Sequence, residues 1–479
     1  MTTTFEPRPA LLAGRLTAGE GVLLDVEDPA TGEIFAQVPD LGPDAETAAS
    51  TVSTAVAAAL AAQPAWAADE QARIAALGEI ARIIAEHADE LGELVSRETG
   101  KSLFGGRMEA VKAAEHVAWA AGADLSPELL VDEPGRTVHL EHLPHGVVAA
   151  IVPWNAPLIM AVHKTATALR CGNTVVLKPS PVTPVATLRF VELIADVLPA
   201  GVLSVLSGGD ALGPALTGHR DVAMISFTGS VPTGRAIMAG AAPTLKRLVL
   251  ELGGNDAAIV LEDADPALVA PLLFRSAFIN SGQVCQAIKR LYVHRSVYDA
   301  VVDGLVACAE AARLGGPLEE GSTFGPLTTA AQLAVVEELV SDASARGGVV
   351  RTGGGPADRP GHFYPPTIVT GLDDDAPLVA TEQFGPALPV LVFDDVEDAV
   401  SRANALELGL SASVWGSDLD RASQVATRLQ AGSVWINRHA GVEAEIPFGG
   451  LKQSGIGRES GREGLLSFTE TRTIERPRA

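Results

Sequence analysis

Short apolar runs alternate with helix-spaced segments through the middle of this chain, and that alternation restricts its fold more than any other feature. Gly146-Val147-Val148-Ala149-Ala150-Ile151-Val152-Pro153 is uncharged and apolar, the pattern of a strand buried on both faces. Thr174–Leu177 then reads as a strand, Thr187–Leu198 as a helix, Val202–Leu206 as a strand, Gly213–Thr217 as a helix start and Met224–Phe227 as a strand. Strands and helices in turn specify a parallel sheet covered on both faces. A second series follows Gly254: a strand at Ala257–Leu261, a helix at Leu268–Phe278, and strands at Arg290–His294, Pro389–Phe393, Ser411–Trp415 and Ser433–Asn437. Gly253-Gly254-Asn255 between the two series is a candidate hinge.

Residues 45–97 are helical by spacing, and a further helix is predicted from about Phe104 to Ala121. Thr137–Leu143 alternates like a half-exposed strand. The 479 residues suit two or three domains, and 47% hydrophobic against 20% charged residues argues against disorder. The net charge of −24, without a basic stretch, argues against nucleic acid and anionic membranes as partners. No apolar run reaches the roughly twenty residues of a membrane span. The segment Met1–Pro7 lacks a basic region followed by an apolar run, so no signal peptide is expected. Three cysteines (Cys171, Cys285 and Cys308) are too few for a disulfide framework and suit a reducing, cytoplasmic setting.

Five segments carry candidate chemistry. Cys285 follows Gly282-Gln283-Val284 and precedes Gln286, a polar, non-amphipathic setting, whereas Cys171 and Cys308 read as buried and inert. Glu251, ahead of Gly253-Gly254, could act as a base. Asn155, between Pro153 and Pro157, could offer its amide to an oxyanion or satisfy its own turn. Lys178 closes a strand, where parallel sheets bind nucleotides, or is simply solvated. Gly229-Ser230 opens a helix predicted at Pro232–Ala241, which suits a phosphate or an ordinary N-cap. His139, His142 and His145 do not make a metal site, because positions 139 and 142 of a strand face opposite sides; no metal is expected.

Together Pro153-Trp154-Asn155, Lys178-Pro179-Ser180, Phe227-Thr228-Gly229-Ser230, Glu251-Leu252-Gly253-Gly254, Gly282-Gln283-Val284-Cys285, Glu382-Gln383-Phe384-Gly385-Pro386 and Pro447-Phe448-Gly449-Gly450 with Ser454-Gly455 resemble the aldehyde dehydrogenase superfamily, in its order and over nearly the whole chain. The resemblance implies an α/β protein of three parts. A Rossmann-like cofactor domain would use residues 1–123 and 145–253, an α/β catalytic domain 254–453, and a small β oligomerisation element 124–144 and 454–479, giving a homodimer or homotetramer.

The resemblance also implies that Cys285 attacks an aldehyde, that Asn155 and the Cys285 N–H hold the oxyanion, and that Glu251 activates water against the thioester, assisted by Lys164 and Glu459. NAD would lie along Ile151, Val152, Pro153, Trp154, Lys178, Ser180, Pro181, Gly209, Gly213, Phe227, Thr228, Gly229, Ser230, Leu252, Glu382 and Phe384. The glutamate that NAD-preferring members place three residues after the lysine is Pro181 here, so NADP is an alternative cofactor. Ala156, His163, Ile279, Val442 and Phe448 would form a wide substrate pocket suited to medium-chain aliphatic or aryl aldehydes. Arg438 could instead meet the carboxylate of a semialdehyde, or simply face solvent; a CoA-acylating relative, disfavoured by the presence of Glu251, and a non-enzymatic scaffold, disfavoured by an intact Cys285, Asn155 and Glu251, are the other readings.

Overall fold

The computed structural model describes residues 7–19, 21–441 and 443–478. Two large sheets dominate. The eight-stranded one runs Arg15–Thr17, Ala10–Leu12, Leu203–Val205, Thr174–Lys178, Val147–Ile151, Met224–Thr228, Arg247–Glu251 and Gly455–Ile456. Its five central strands are parallel and, counted from Val147–Ile151, lie in the order 3-2-1-4-5. Chain direction across the sheet therefore reverses beside Val147–Ile151, and the crevice at the carboxyl ends there is where doubly wound sheets take ligands. The residues of that strand through Ala150 are fully buried, which explains why it contains no polar alternation.

The seven-stranded sheet orders Val349–Thr352, Thr367–Thr370, Ala387–Phe393, Ile288–His294, Asp256–Val260, Ser411–Trp415 and Ser433–Ile436. Strand alternation divides its core cleanly: Ala257, Ile259 and Tyr292 pack into one cluster, Ala258, Val260, Leu291 and Val293 into another. A third, antiparallel sheet joins Glu128–Glu133, Arg136–Pro144 and Thr469–Pro477. Residues 454–479 are therefore divided. Gly455–Ile456 pairs with Leu250 and Glu251 at the edge of the first sheet, and only Thr469–Pro477 reaches the third.

Within the region expected to be helical at 45–97, the part from Glu70 onward is two helices, Glu70–Glu86 and Ala88–Thr99, separated at His87. The second ends at Gly100, whose φ of +83° a side chain would resist. The next helix, Leu103–Gly122, is capped by Ser102 and crosses Ala88–Thr99 where both are glycine. A Cβ on Gly106 would stand 2.2 Å from Gly92 O and from Ser96 Oγ, and one on Gly92 would stand 2.6 Å from Arg107 Cα. This crossing matters for the site because Glu109, one turn later, accepts the N–H groups of Leu158 (3.0 Å) and Ile159 (3.2 Å) at the start of the helix Pro157–Arg170.

Gly106→Ala should therefore destabilise the fold by about 1–3 kcal/mol despite alanine's better helix propensity. Urea unfolding followed by circular dichroism measures it, and unchanged or raised stability would contradict the close crossing.

Candidate active site

The loop carrying Cys285 is held in an unusual shape. After the helix Pro266–Phe278, Asn280 and Ser281 take φ values of +51° and +55°, and Gly282 follows at +76°. Successive left-handed residues cost on the order of 1–3 kcal/mol each and persist only when the surroundings impose them. Here the buried Gln283 does so: its Oε1 accepts Thr328 N (2.8 Å) and its Nε2 donates to Asn280 O (3.0 Å). A Cβ on Gly282 would lie 2.3 Å from Gly385 O, so only glycine fits. Cys285 emerges half-buried from this turn. Burial pushes its thiol up to about 12, against a downward pull from Lys289.

Asn155 faces this loop rather than its own turn. Its Nδ2 donates to Gln283 O (2.9 Å), which leaves the second amide hydrogen uncommitted. Its backbone carbonyl accepts Lys101 Nζ (2.9 Å) and Asn280 Nδ2 (3.2 Å), and Lys101 is in turn paired with Glu109. Lys101, Glu109, Gln283 and Lys289 thus shape the site; Gln283 lies in the segment Gly282–Cys285, but no local motif identifies the other three. Their partners lie elsewhere in the chain, apart from the short-range bonds of Gln283 and Lys289 within the loop.

Glu251 ends the strand Arg247–Glu251 and is 4% exposed. Neither carboxylate oxygen has a hydrogen-bond partner among the described residues. Burial raises its pKa well above the usual range and Glu459 adds to this, while Lys164 and Arg458 oppose it. Gly449 is glycine beside it, since a Cβ there would stand 2.7 Å from Oε1. Lys164, from the helix Pro157–Arg170, forms a buried ion pair with Glu459 and donates to Ser226 Oγ (3.1 Å). Burial alone would raise the Glu459 pKa, but Lys164 and His163 together bring it below the usual range. His163 Nδ1 lies 3.4 Å from Glu459 Oε2, its Nε2 is 3.2 Å from Ser460 Oγ, and its ring meets His116 edge-on at 3.9 Å. The side chain expected to line a substrate pocket is therefore buried around the ion pair.

The residues expected to hold a dinucleotide gather at the carboxyl ends of the first sheet. Val152 N donates to Lys178 O (3.2 Å), joining the ends of the strands that carry Ile151 and Lys178. Lys178 is 7% exposed rather than solvated, and among the described residues its Nζ meets only Pro179 O, at 3.4 Å. A buried ammonium with hydrogens to spare fits sugar hydroxyls. Ser180 and Pro181 follow it, and Ser180 Oγ accepts Val182 N (3.2 Å).

Phe227 and Thr228 end their strand, and Gly229 N donates to Glu251 O (3.0 Å). Gly229 has no room for a Cβ, which would stand 2.4 Å from the Phe227 ring. Ser230 caps the eleven-residue helix Val231–Ala241 through Thr233 N, so the helix start is an N-cap and still presents its dipole. Gly209 N reaches Asp40 Oδ1 at 3.4 Å, Gly213 has open space where a Cβ would be, and Leu252 N donates to Ser454 O (2.8 Å). Trp154 meets Phe384 edge-on at 5.4 Å, and Phe384 takes a φ of +45°. These features are compatible with an adenine dinucleotide.

Of the remaining pocket positions, Ile279 is 50% exposed, Ala156 half-buried and Phe448 buried; Val442 lies outside the described residues, as does the segment Met1–Glu6. Arg438 is exposed and paired with Glu443 (3.2 Å). Cys171 is buried, donates to Leu465 O (3.3 Å), and is pushed up to about 12 by burial. Cys308, expected to be buried, is only half-buried: on the helix Tyr298–Glu310 it lies at the margin of the fully buried stripe of Val301, Val302 and Leu305. Among the described residues no group of three or more metal-ligating side chains gathers, and no helix is long and apolar enough to cross a membrane.

Residues 17–474 match the model of the "Aldehyde dehydrogenase family". The chain is similar to phenylacetaldehyde dehydrogenase of Pseudomonas fluorescens, with 39% identity over 98% of this chain and 95% of the relative. It superposes on the NAD+ complex of an aldehyde dehydrogenase from Bacillus cereus with a TM-score of 0.95 and 34% identity, covering 98% of this chain and 97% of that one. An NADP-dependent enzyme of E. coli gives 0.94 and 35%, covering 98% of each chain.

The charges around Glu251 carry a signed expectation. Glu459→Gln removes a negative neighbour and leaves the Lys164 ammonium to act on Glu251 alone. Glu251 should then ionise at lower pH, by about one unit or more. Its protonated-carboxyl band in pH-titrated infrared difference spectra, assigned by its loss in Glu251→Gln, reports the midpoint. An unchanged or higher midpoint would contradict the arrangement.

Proposed function

The chain belongs to the aldehyde dehydrogenase family, and on that premise we propose that it oxidises an aldehyde to its carboxylic acid with NAD or NADP, through a thioester on Cys285 that water hydrolyses. The observation that carries this reading is the Glu251 carboxyl, buried and without a hydrogen-bond partner beside the Lys164–Glu459 pair. An unpartnered buried carboxyl is costly, and its raised pKa brings it toward the range of a general base.

Cys285 Sγ bonds to the aldehyde carbon as its thiol proton is lost, and the free amide hydrogen of Asn155 and the backbone N–H of Cys285 hold the oxygen. When bound, the nicotinamide supplies the hydride acceptor. The acyl group left on Cys285 is cleaved by water, which Glu251 deprotonates; Lys164 and Glu459 hold charge balance beside it. Lys178, Gly229, Ser230 and Glu382 would hold the cofactor, with Trp154 and Phe384 at the nicotinamide end. Pro181 places no carboxylate near the adenosine ribose, which supports use of NADP as well as NAD. The eight-stranded, seven-stranded and three-stranded sheets serve as cofactor, catalytic and bridging units, the last joining copies into a dimer or tetramer within the cytoplasm.

Ala156 and Ile279 leave an apolar, open approach, which supports medium-chain or aryl aldehydes. Arg438 is already paired with Glu443 and faces solvent, which argues against a semialdehyde carboxylate as its partner. The presence of Glu251 argues against CoA acylation.

Two experiments test this reading. With octanal and no CoA, Cys285→Ala should reduce no cofactor, whereas Glu251→Gln should give a burst of about one reduced nicotinamide per subunit and then slow at least a hundredfold in stopped-flow absorbance. Steady turnover by Glu251→Gln would contradict the base. Pro181→Glu should lower kcat/KM for NADP at least tenfold relative to NAD, since a carboxylate would then face the 2′-phosphate. An unchanged ratio would contradict the assignment of that position.

A further inference from the structure

Lys289 has no part in the reading above, yet it touches the nucleophile loop more closely than any other cation. It follows Ile288 at the start of the strand Ile288–His294, and its side chain is 2% exposed. An ammonium buried this deeply needs partners. Its three hydrogens have three acceptors: Val284 O at 2.9 Å, Cys285 O at 2.6 Å and Glu382 Oε1 at 3.3 Å. Two of these are carbonyls of the loop that presents the thiol. The third is the carboxylate assigned to the nicotinamide ribose.

Glu382 is turned inward. Oε1 also accepts Gly254 N (3.2 Å), and Oε2 lies 2.3 Å from where a Cβ on Gly253 would stand. Its own pKa is raised by burial, against the pull of Lys289 and the Gly254 N–H. In this position Glu382 neutralises Lys289.

We propose that Lys289 is a positioning residue that couples cofactor binding to activation of Cys285. Glu382 alternates between Lys289 and the ribose diol, and its departure leaves the Lys289 ammonium uncompensated against the nucleophile loop, so that the thiol gives up its proton to water. This rests on the reading of Cys285 as nucleophile and Glu382 as ribose ligand.

The surrounding charges support it. Burial holds the Cys285 thiol up, Lys289 draws it down, and Glu382, Asp256 and Glu251 raise it further. Asp256 is fixed by Ser411 and lies 3.7 Å from His439, whose ring nitrogens also meet Ser413 Oγ and Gln286 O. Arg290 spends its guanidinium on the carbonyls of Asn255, Arg402 and Ala403 and on Tyr292. Glu251 faces Lys164, Glu459 and Arg458. Among these groups, the Lys289–Glu382 contact is the one that ribose binding would break. The thiol would stay masked until the hydride acceptor is in place, sparing it from fruitless reaction with electrophiles.

The test is the pH dependence of iodoacetamide alkylation of Cys285 in the whole enzyme, followed by peptide mass, with and without NAD+. In the wild type, NAD+ should accelerate alkylation about tenfold or more at pH 7, equivalent to a thiol pKa lower by about one unit. Lys289→Met should be slow in both states, with an NAD+ effect below about twofold. Glu382→Gln without NAD+ should already react within about threefold of the NAD+-bound wild type, because its neutral amide leaves Lys289 uncompensated. A merely structural lysine would not produce that third result.

NAD+ acceleration retained in Lys289→Met, or Glu382→Gln as slow as the free wild type, would overturn the proposal. If Lys289→Met fails to fold, Glu382→Gln alone decides. Alkylated wild type that still turns over aldehyde would overturn the reading of Cys285 itself, and the proposal with it.

Discussion

The active site depends on a buried ion pair beside an unpaired carboxyl. Lys164 and Glu459 are both nearly inaccessible, and either one alone would be a costly charge in the interior. They come from distant parts of the chain, the helix Pro157–Arg170 and the segment beyond Gly455–Ile456. The pair therefore exists only once the last edge strand has docked against Arg247–Glu251. That same docking sets Glu251 beside the pair and shapes the electrostatics of the proposed base. A structural requirement of the fold and the proposed chemistry of hydrolysis are thus met by one cluster.

A second set of contacts ties the two large sheets together at the reacting centre. Asn155 follows the strand Val147–Ile151 of the first sheet, and its amide bonds to Gln283, whose loop feeds the strand Ile288–His294 of the second. Lys101 and Glu109 support Asn155 from below, and the glycine crossing at Gly92 and Gly106 determines where Glu109 stands. Oxyanion donors act only when they are positioned before the charge develops. On the proposed role of Asn155, that positioning is distributed over residues outside the immediate surroundings of Cys285.

Much of this was legible in the sequence, for a physical reason. Buried parallel strands such as Val147–Ile151 must be apolar on both faces, so they mark themselves, and their predicted limits agree with the structure to within about two residues. Glu128–Glu133 was not legible, because Leu129 and Leu130 are exposed on an edge and no burial pattern marks the strand. The break at His87 was hidden because apolar spacing continues on either side of it. Lys178 left two readings open, and its burial argues against the solvated one. His163 was expected in the pocket, but tertiary packing turned it onto Glu459. Lys101, Glu109 and Lys289 could not be found at all, since a lone Lys or Glu in sequence looks like solvated surface until its partners are known.

The central claim is that Cys285 carries an acyl group that only Glu251 can release. Intact-protein mass spectrometry of Glu251→Gln, quenched in acid after mixing with octanal and NAD+, tests it directly. The account requires a gain of one octanoyl group per chain, mapped to the peptide containing Cys285, with no such gain in the wild type at steady state. No adduct, or an adduct on Cys171 or Cys308, would contradict it.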